Sequence, residues 1–236
     1  MRQIVNEKHI ERQSKIGKNA PLAGMGLLII ATVLMFQRPD LIALSMLLVW
    51  VGFVASILSN YLGERYLGPA AHHNKVPESL KGLGNRYTLL VYQTPVPFVL
   101  IGPGGLTVII VSSQGGRVTY DEEKGRWHHE QKMGMLRRFM GQEGLGQPHR
   151  IAASEVSALQ AWLAKRLPEG MEIPTRAVLL FVHPDVYLEA DDAPITALRG
   201  SEIKRWVRDS ANRRDRLADA QRSALYAALE IEEDAG

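Results

Sequence analysis

Two long apolar runs stand near the start of the chain. Ala20 to Phe36 (APLAGMGLLIIATVLMF) and Leu41 to Leu58 (LIALSMLLVWVGFVASIL) carry no charged residue. As helices they rise about 26 and 27 Å, slightly short of a hydrocarbon core of roughly 30 Å. Slight bilayer thinning or snorkelling flanks close that gap. The connector Gln37-Arg38-Pro39-Asp40 reads as a turn, with Pro39 stopping one helix and Asp40 placed to cap the next. Residues 20–58 are therefore predicted to form an antiparallel transmembrane hairpin. A soluble buried hairpin is disfavoured because neither run shows a polar face. A cleaved leader is disfavoured too, since Glu7 and Glu11 lie in residues 1–19 and no small-x-small site precedes the second run.

Beyond the hairpin the pattern changes. Residues 59–79 read as an irregular linker. Strand signals follow at Tyr87–Tyr92, Pro97–Ile101, Leu106–Ser112 and Arg117–Tyr120, punctuated by Gly102-Pro103-Gly104-Gly105 and Gly115-Gly116. This predicts an antiparallel meander. LTVIIVS is apolar at consecutive positions, the mark of a central strand covered on both faces. After the glycine-rich loop Gly141–His149, Val156, Leu159, Leu163 and Leu167 fall at helical spacing over Ala153–Leu167, and Pro168-Glu169-Gly170 ends that helix. Arg176–Val182 is another buried strand. A last helical region begins at Ser201, with Glu202 in its first turn and Ile203, Trp206, Val207, Ala211 and Leu217 on one side, and has room to run on to Glu230. The order predicts an α/β domain, a mixed sheet flanked by helices, over 80–216, with a helical extension and acidic tail at 217–236.

Composition adds two constraints. The absence of cysteine removes disulfides, thiolate nucleophiles, cysteine-ligated zinc and iron–sulfur clusters. The basic pI of 9.2 comes from the front of the chain. Arg2, Lys8, Arg12, Lys15, Lys18 and Arg38 outnumber Glu7, Glu11 and Asp40 there, whereas the two signs balance beyond residue 59. A strongly cationic nucleic-acid-binding domain is thus not described. Lys/Arg residues flank the hairpin at both ends, including Arg65, Lys75 and Lys81, while its turn holds only Arg38. Both termini and the soluble domain are expected to be cytoplasmic.

Candidate chemistry is sparse. His72-His73, His128-His129, His149 and His183 lack a second ligand at helical spacing, and adjacent histidines on a strand point to opposite faces. No metal site is expected from them. GQEGLGQP lacks the Lys-Ser/Thr of a phosphate loop, and no Gly-x-Ser-x-Gly elbow is present. Arg199, Lys204, Arg205, Arg208, Arg213, Arg214 and Arg216 form a basic stretch. Lys204, Arg205 and Arg208 are its candidates for phosphate contact. Glu202 with Arg205, Arg205 with Asp209, and the interleaved Asp215 and Asp219 point instead to a salt-bridged, solvated face.

The stretch Pro97–Trp127, PFVLIGPGGLTVIIVSSQGGRVTYDEEKGRW, resembles the nuclease-related domain (NERD) family of the PD-(D/E)XK restriction-endonuclease-like group. Val99-Leu100-Ile101-Gly102-Pro103-Gly104-Gly105 matches the family's turn, Gly115-Gly116 its second turn and Trp127 its tryptophan. The later helix, the strand Ala177–Val182 and APITALRGSEIKRWV follow the family's order, so the resemblance covers roughly 80–210. It implies a restriction-endonuclease-like fold. That chemistry needs carboxylates to hold a divalent metal and a lysine to orient water. Aligned on the turn, the family's aspartate falls at Pro97, its second acid at Ile110 and its lysine at Ser112. The catalytic positions are degenerate. Glu64 or Glu78 stands where an upstream family glutamate is expected.

The expected role is therefore a membrane-anchored domain that has lost nuclease activity and binds or scaffolds a nucleic-acid or protein partner, with no cofactor. Two alternatives remain. One is an active nuclease whose displaced carboxylates, drawn from Asp121, Glu122, Glu123 and Glu130 with Asp121 and Glu130 foremost, hold Mg²⁺. The other is a protein-interaction module sharing only the fold. Oligomeric state and partner identity are not legible.

Overall fold

A computed structural model gives the fold and describes residues 1–130, 145–209 and 216–231, apart from the side chains of Asn60 and Glu64. The chain divides into two compact units. One is the hairpin, Asn6–Lys75; the other comprises Met1–Val5 and Val76–Gly236.

In the hairpin unit, helix α1 spans Glu7–Gln37 and helix α2 spans Ile42–Tyr66. Both extend past the apolar runs. Asn6 caps α1 by accepting a hydrogen bond from the His9 N–H at 3.0 Å, so the polar leader is helical as well. Pro39 does end α1, but Asp40 does not cap α2. Pro39–Leu41 forms a single 3₁₀ turn, Leu41 occupies the cap position, and the Asp40 carboxylate faces the Arg38 guanidinium at 3.4 Å.

The expected irregular linker over 59–79 is largely helical. α2 continues to Tyr66, and α3 follows at His72–Leu80 despite Pro77. Its Val76 and Leu80 are completely buried, and that burial outweighs the proline's missing hydrogen bond.

The other unit carries two sheets. β1 (Arg2–Val5), β2 (Thr88–Val91), β3 (Phe98–Gly102), β4 (Gly105–Ser112), β7 (Thr175–Phe181) and β9 (Ala197–Arg199) form the larger, in the order β1-β2-β3-β4-β7-β9. β2–β3–β4 is the antiparallel meander the pattern predicts. β4–β7 and β7–β9 are parallel, and so is β1–β2. β5 (Gly116–Asp121) departs from the expected meander. It joins β6 (Arg126–Glu130) and β8 (Val186–Glu189) in a separate sheet, ordered β6-β5-β8. The glycine pair before it permits that departure: Gly116 has φ +89°, and a side chain on Gly115 would collide with the His183 ring.

Both faces of β4 are covered, because Val108, Ile109 and Ile110 are all buried. Val108 and Ile110 join one core with Leu90, Val99, Ile101, Leu179 and Phe181. Helix α4 (Pro148–Ala164) adds Ala152, Leu159 and Leu163, and the inner face of the small sheet adds Val118 and Trp127. The predicted single C-terminal helix is instead α5 (Ile203–Arg208) and α6 (Asp219–Ala228); Leu225 and Tyr226 of α6 complete this core. Ala211, Arg213, Arg214, Asp215, the first part of the glycine-rich loop (141–144) and the acidic tail from 232 lie outside the described residues.

Candidate functional site

Two of the three glycines in the Gly102-Pro103-Gly104-Gly105 turn, Gly102 and Gly105, have a structural cause. Gly102 pairs with Gly105 across Pro103-Gly104. Gly105 has φ +100°, and a Cβ there would lie 2.2 Å from the Pro174 carbonyl oxygen; one on Gly102 would strike the Tyr87 ring. Leu106 N–H donates to that same Pro174 oxygen at 2.8 Å, which docks β4 beside β7. The motif therefore sets the register of the central strands.

That register places two of the three aligned positions on β4. The β3–β4 ladder ends at the Val99–Val108 pair; Ile110 lies two residues beyond it on β4 and Ser112 two beyond that, whereas Pro97 lies outside β3, in the bend just before Phe98. Ile110 pairs with Leu179 and Ser112 with Phe181. Side chains of equal parity share a sheet face, so Ile110 and Ser112 point to the same core. Their chemistry is neutral. Pro97 offers only its carbonyl, which accepts from the Tyr92 N–H at 2.8 Å. Ile110 is buried in the core that also holds Val118 and Trp127. The Ser112 hydroxyl accepts from the Gln114 N–H at 3.3 Å. Trp127 packs against Tyr120, ring centroids 5.2 Å apart.

The displaced carboxylates are not brought together. Asp121 pairs with Arg126 and Glu130 with Arg117, at opposite ends of the β5–β6 ribbon. Four ladder steps separate them, about 13 Å. By parity both share the outward face with Arg117, Thr119 and His128, whereas Val118 and Trp127 face the core. Asp121 accepts from the Lys124 N–H at 3.0 Å and meets its ammonium at 3.1 Å. These contacts, the backbone one first, hold its carboxyl below the usual carboxylate range. Glu122 and Glu123 are exposed in the turn after β5. Glu64 lies in α2, and Glu78 is exposed on α3.

The histidines are dispersed. His128 faces Asp121 at 3.7 Å, while its neighbour His129 points the other way, to the Gly115 carbonyl at 2.7 Å. His183 accepts from the Asp185 N–H at 3.1 Å. His72-His73 lie on α3 rather than in the expected irregular linker. Among the described residues no three His, Asp or Glu side chains gather as metal ligands.

The basic stretch is partly engaged. Glu202 binds Arg199 rather than the expected Arg205, accepting from its backbone at 2.9 Å and its guanidinium at 3.0 Å. Arg208 donates to the Gly82 carbonyl. Arg205 is exposed and Lys204 half-buried on the short helix α5.

The hairpin shows an arrangement that sequence reading missed. Small residues repeating every seven line its interior, Gly17, Gly24 and Ala31 on α1 and Ser45, Gly52 and the half-buried Ser59 on α2, with Leu62 and Tyr66 buried beyond them near the end of α2. A Cβ on Gly24 would lie 3.1 Å from the Gly52 carbonyl oxygen and 3.4 Å from Ala55 Cβ. Pro21 has no N–H for the Gly17 carbonyl one turn before it, and the Ser59 hydroxyl donates to that oxygen at 3.3 Å. Large apolar side chains point outward, with Leu22, Phe36 and Trp50 at least two-thirds exposed. The spacing of Gly17, Gly24 and Ala31 was the available signal. Both helices are long and apolar enough to cross a membrane.

No family model, curated protein or solved structure matches this chain.

Proposed function

We propose that this chain is a membrane-anchored cytoplasmic domain of nuclease-like build that binds or scaffolds a partner instead of cleaving nucleic acid. The observation that carries the anchor is the inverted hairpin. A soluble helix pair buries its large apolar side chains, whereas over its two apolar runs this one buries glycine, alanine and serine and presents leucine, phenylalanine and tryptophan outward. Small-residue seams with apolar exteriors suit helices solvated by lipid. A common side for both ends of the hairpin is supported by β1, which precedes it yet pairs with β2 beyond it.

The nuclease-like build is supported by the order of elements. Strand, Gly-Pro-Gly-Gly turn, strand, glycine turn, tryptophan, helix and strand succeed one another as the NERD resemblance requires. Loss of cleavage is supported by Pro97, Ile110 and Ser112. None of the three can hold a metal or orient water as two carboxylates and a lysine do.

The test uses the full chain, because residues 1–5 belong to the sheet. Incubated with DNA and RNA in Mg²⁺ or Mn²⁺, it is expected to leave both intact. Metal-dependent cleavage abolished by Asp121→Ala or Glu130→Ala would overturn the reading. Partners captured on the full chain and lost after nuclease digestion would be nucleic-acid-borne; partners retained would be protein.

A further inference from the structure

Resting on the anchored reading, we propose that the first turns of α1 form a binding site for the headgroups of anionic phospholipids, built from Arg12, Lys15 and Lys18. α1 starts thirteen residues before its apolar run, and Lys8, Arg12, Lys15 and Lys18 are exposed along that extension. At 3.6 residues per turn, Lys8, Arg12 and Lys15 lie within about 40° of the direction opposite Gly17. Gly17 packs against Leu62 of α2, so this stripe faces away from the partner helix. Continued along α1, the same direction passes through Leu22, Ile30 and Val33, all exposed. That helix face, with Lys18 about 80° to its side, therefore changes from cationic to apolar at the start of the run. A face that meets acyl chains below Ala20 meets headgroups above it.

The heights agree with that assignment. Lys18, Lys15 and Arg12 stand about 3, 8 and 12 Å above Ala20. The headgroup layer is about 5–8 Å deep on each side, and the long stems of Lys and Arg let their charges reach down into it. Lys8 stands higher and adds only its long-range field. Arg12 and Lys18 hold no ion pair among the described residues, and Lys15 meets only Glu11, at 2.7 Å. That pair is two-thirds exposed on both sides, and such a pair is readily exchanged for a phosphodiester. The opposite end of the hairpin offers only Arg38, itself facing Asp40. The site thus belongs to one leaflet.

The full chain, taken with minimal detergent from vesicles of equimolar phosphatidylglycerol and phosphatidylcholine, tests this by counting the phospholipid that stays bound. Phosphatidylglycerol is expected in several-fold excess, with about fivefold preference per headgroup-level cation. The excess should fall to parity in Arg12→Gln/Lys15→Gln/Lys18→Gln and at high salt. It should survive in Lys81→Gln and in millimolar inorganic phosphate at matched ionic strength. Equal counts in the unaltered chain, or an excess that the triple variant retains, would overturn the site. Displacement by inorganic phosphate would make it a small-anion site and overturn the lipid assignment. Carbonate extraction of the same vesicles reads the anchor separately: a chain that stays with the membrane but shows equal counts loses the lipid site alone, and one that washes off loses both.

Discussion

His72 shows how much a single buried side chain can set the response to pH. It is 8% exposed at the start of α3, and burial first, then the positive charge of Arg65, pushes its imidazole down to about 4. Unfolded, the same group titrates near 6.5. Between those values the unfolded chain binds the extra proton, so stability rises with pH there and falls as pH drops from about 6.5 toward 4. The loss approaches roughly 3 kcal/mol at the low end. Urea unfolding followed across that window should show the decline. His72→Gln should flatten it while leaving stability near neutral pH changed by much less. A slope of the same size in the variant would assign the pH dependence to other groups. Residue-scale reading of the sequence was weakest here. A histidine pair in a stretch with glycine, proline and alanine looks like solvated linker, and only the burial of Ala71, Val76 and Leu80 around it says otherwise.

At the level of elements, the hairpin gives the sharpest expectation, because the chain has no native cysteine to confuse it. A Cβ on Gly24 would stand 3.4 Å from Ala55 Cβ, close to the separation of about 3.5–4.5 Å that a disulfide spans. Gly24→Cys/Ala55→Cys should therefore oxidise readily to an intramolecular crosslink. Gly26→Cys/Ala55→Cys should not, since Gly26 has nothing within 4 Å of its missing side chain. Mobility on non-reducing gels distinguishes the two; crosslinking of the second pair alone would rotate α1 away from the seam described. The same comparison shows what was legible. Apolar runs, β-branched strands and the Gly-Pro-Gly-Gly turn are local signals, and β2, β3, β4, β7 and α4 appear where those signals stand. β1, β8 and β9 have three or four residues each and owe their existence to partners far along the chain, which no local pattern announces. β5 was read as a strand but placed in the wrong sheet for the same reason. The candidate site divides likewise. That Pro97, Ile110 and Ser112 lack the needed chemistry is visible in the letters, whereas the opposed placement of Asp121 and Glu130 appears only with the β5–β6 register.

At the scale of the whole molecule, connectivity restricts topology more tightly than charge counting does. Only Asn6 separates β1 from α1, and the partner strand β2 lies beyond both helices of the hairpin. Ile4 packs against the same core as Leu90. A strand paired to a sheet cannot be across a bilayer from it, since the intervening hydrocarbon would strip its backbone of hydrogen bonds. On the proposed anchored reading the hairpin crosses twice, and its turn emerges on the far side. Single cysteines at Gln3, Asp40 and Tyr187, all exposed, can report this with a membrane-impermeant maleimide applied to intact cells. Asp40→Cys should react at once, and Gln3→Cys and Tyr187→Cys only after permeabilisation. If Gln3 and Tyr187 behave alike but both react from outside, the cytoplasmic orientation is reversed while the fold stands. If they label from opposite sides, β1 is not paired with β2, and an odd number of crossings replaces the hairpin. If all three label only after permeabilisation, neither helix crosses, and the outward leucines and Trp50 must find another cover.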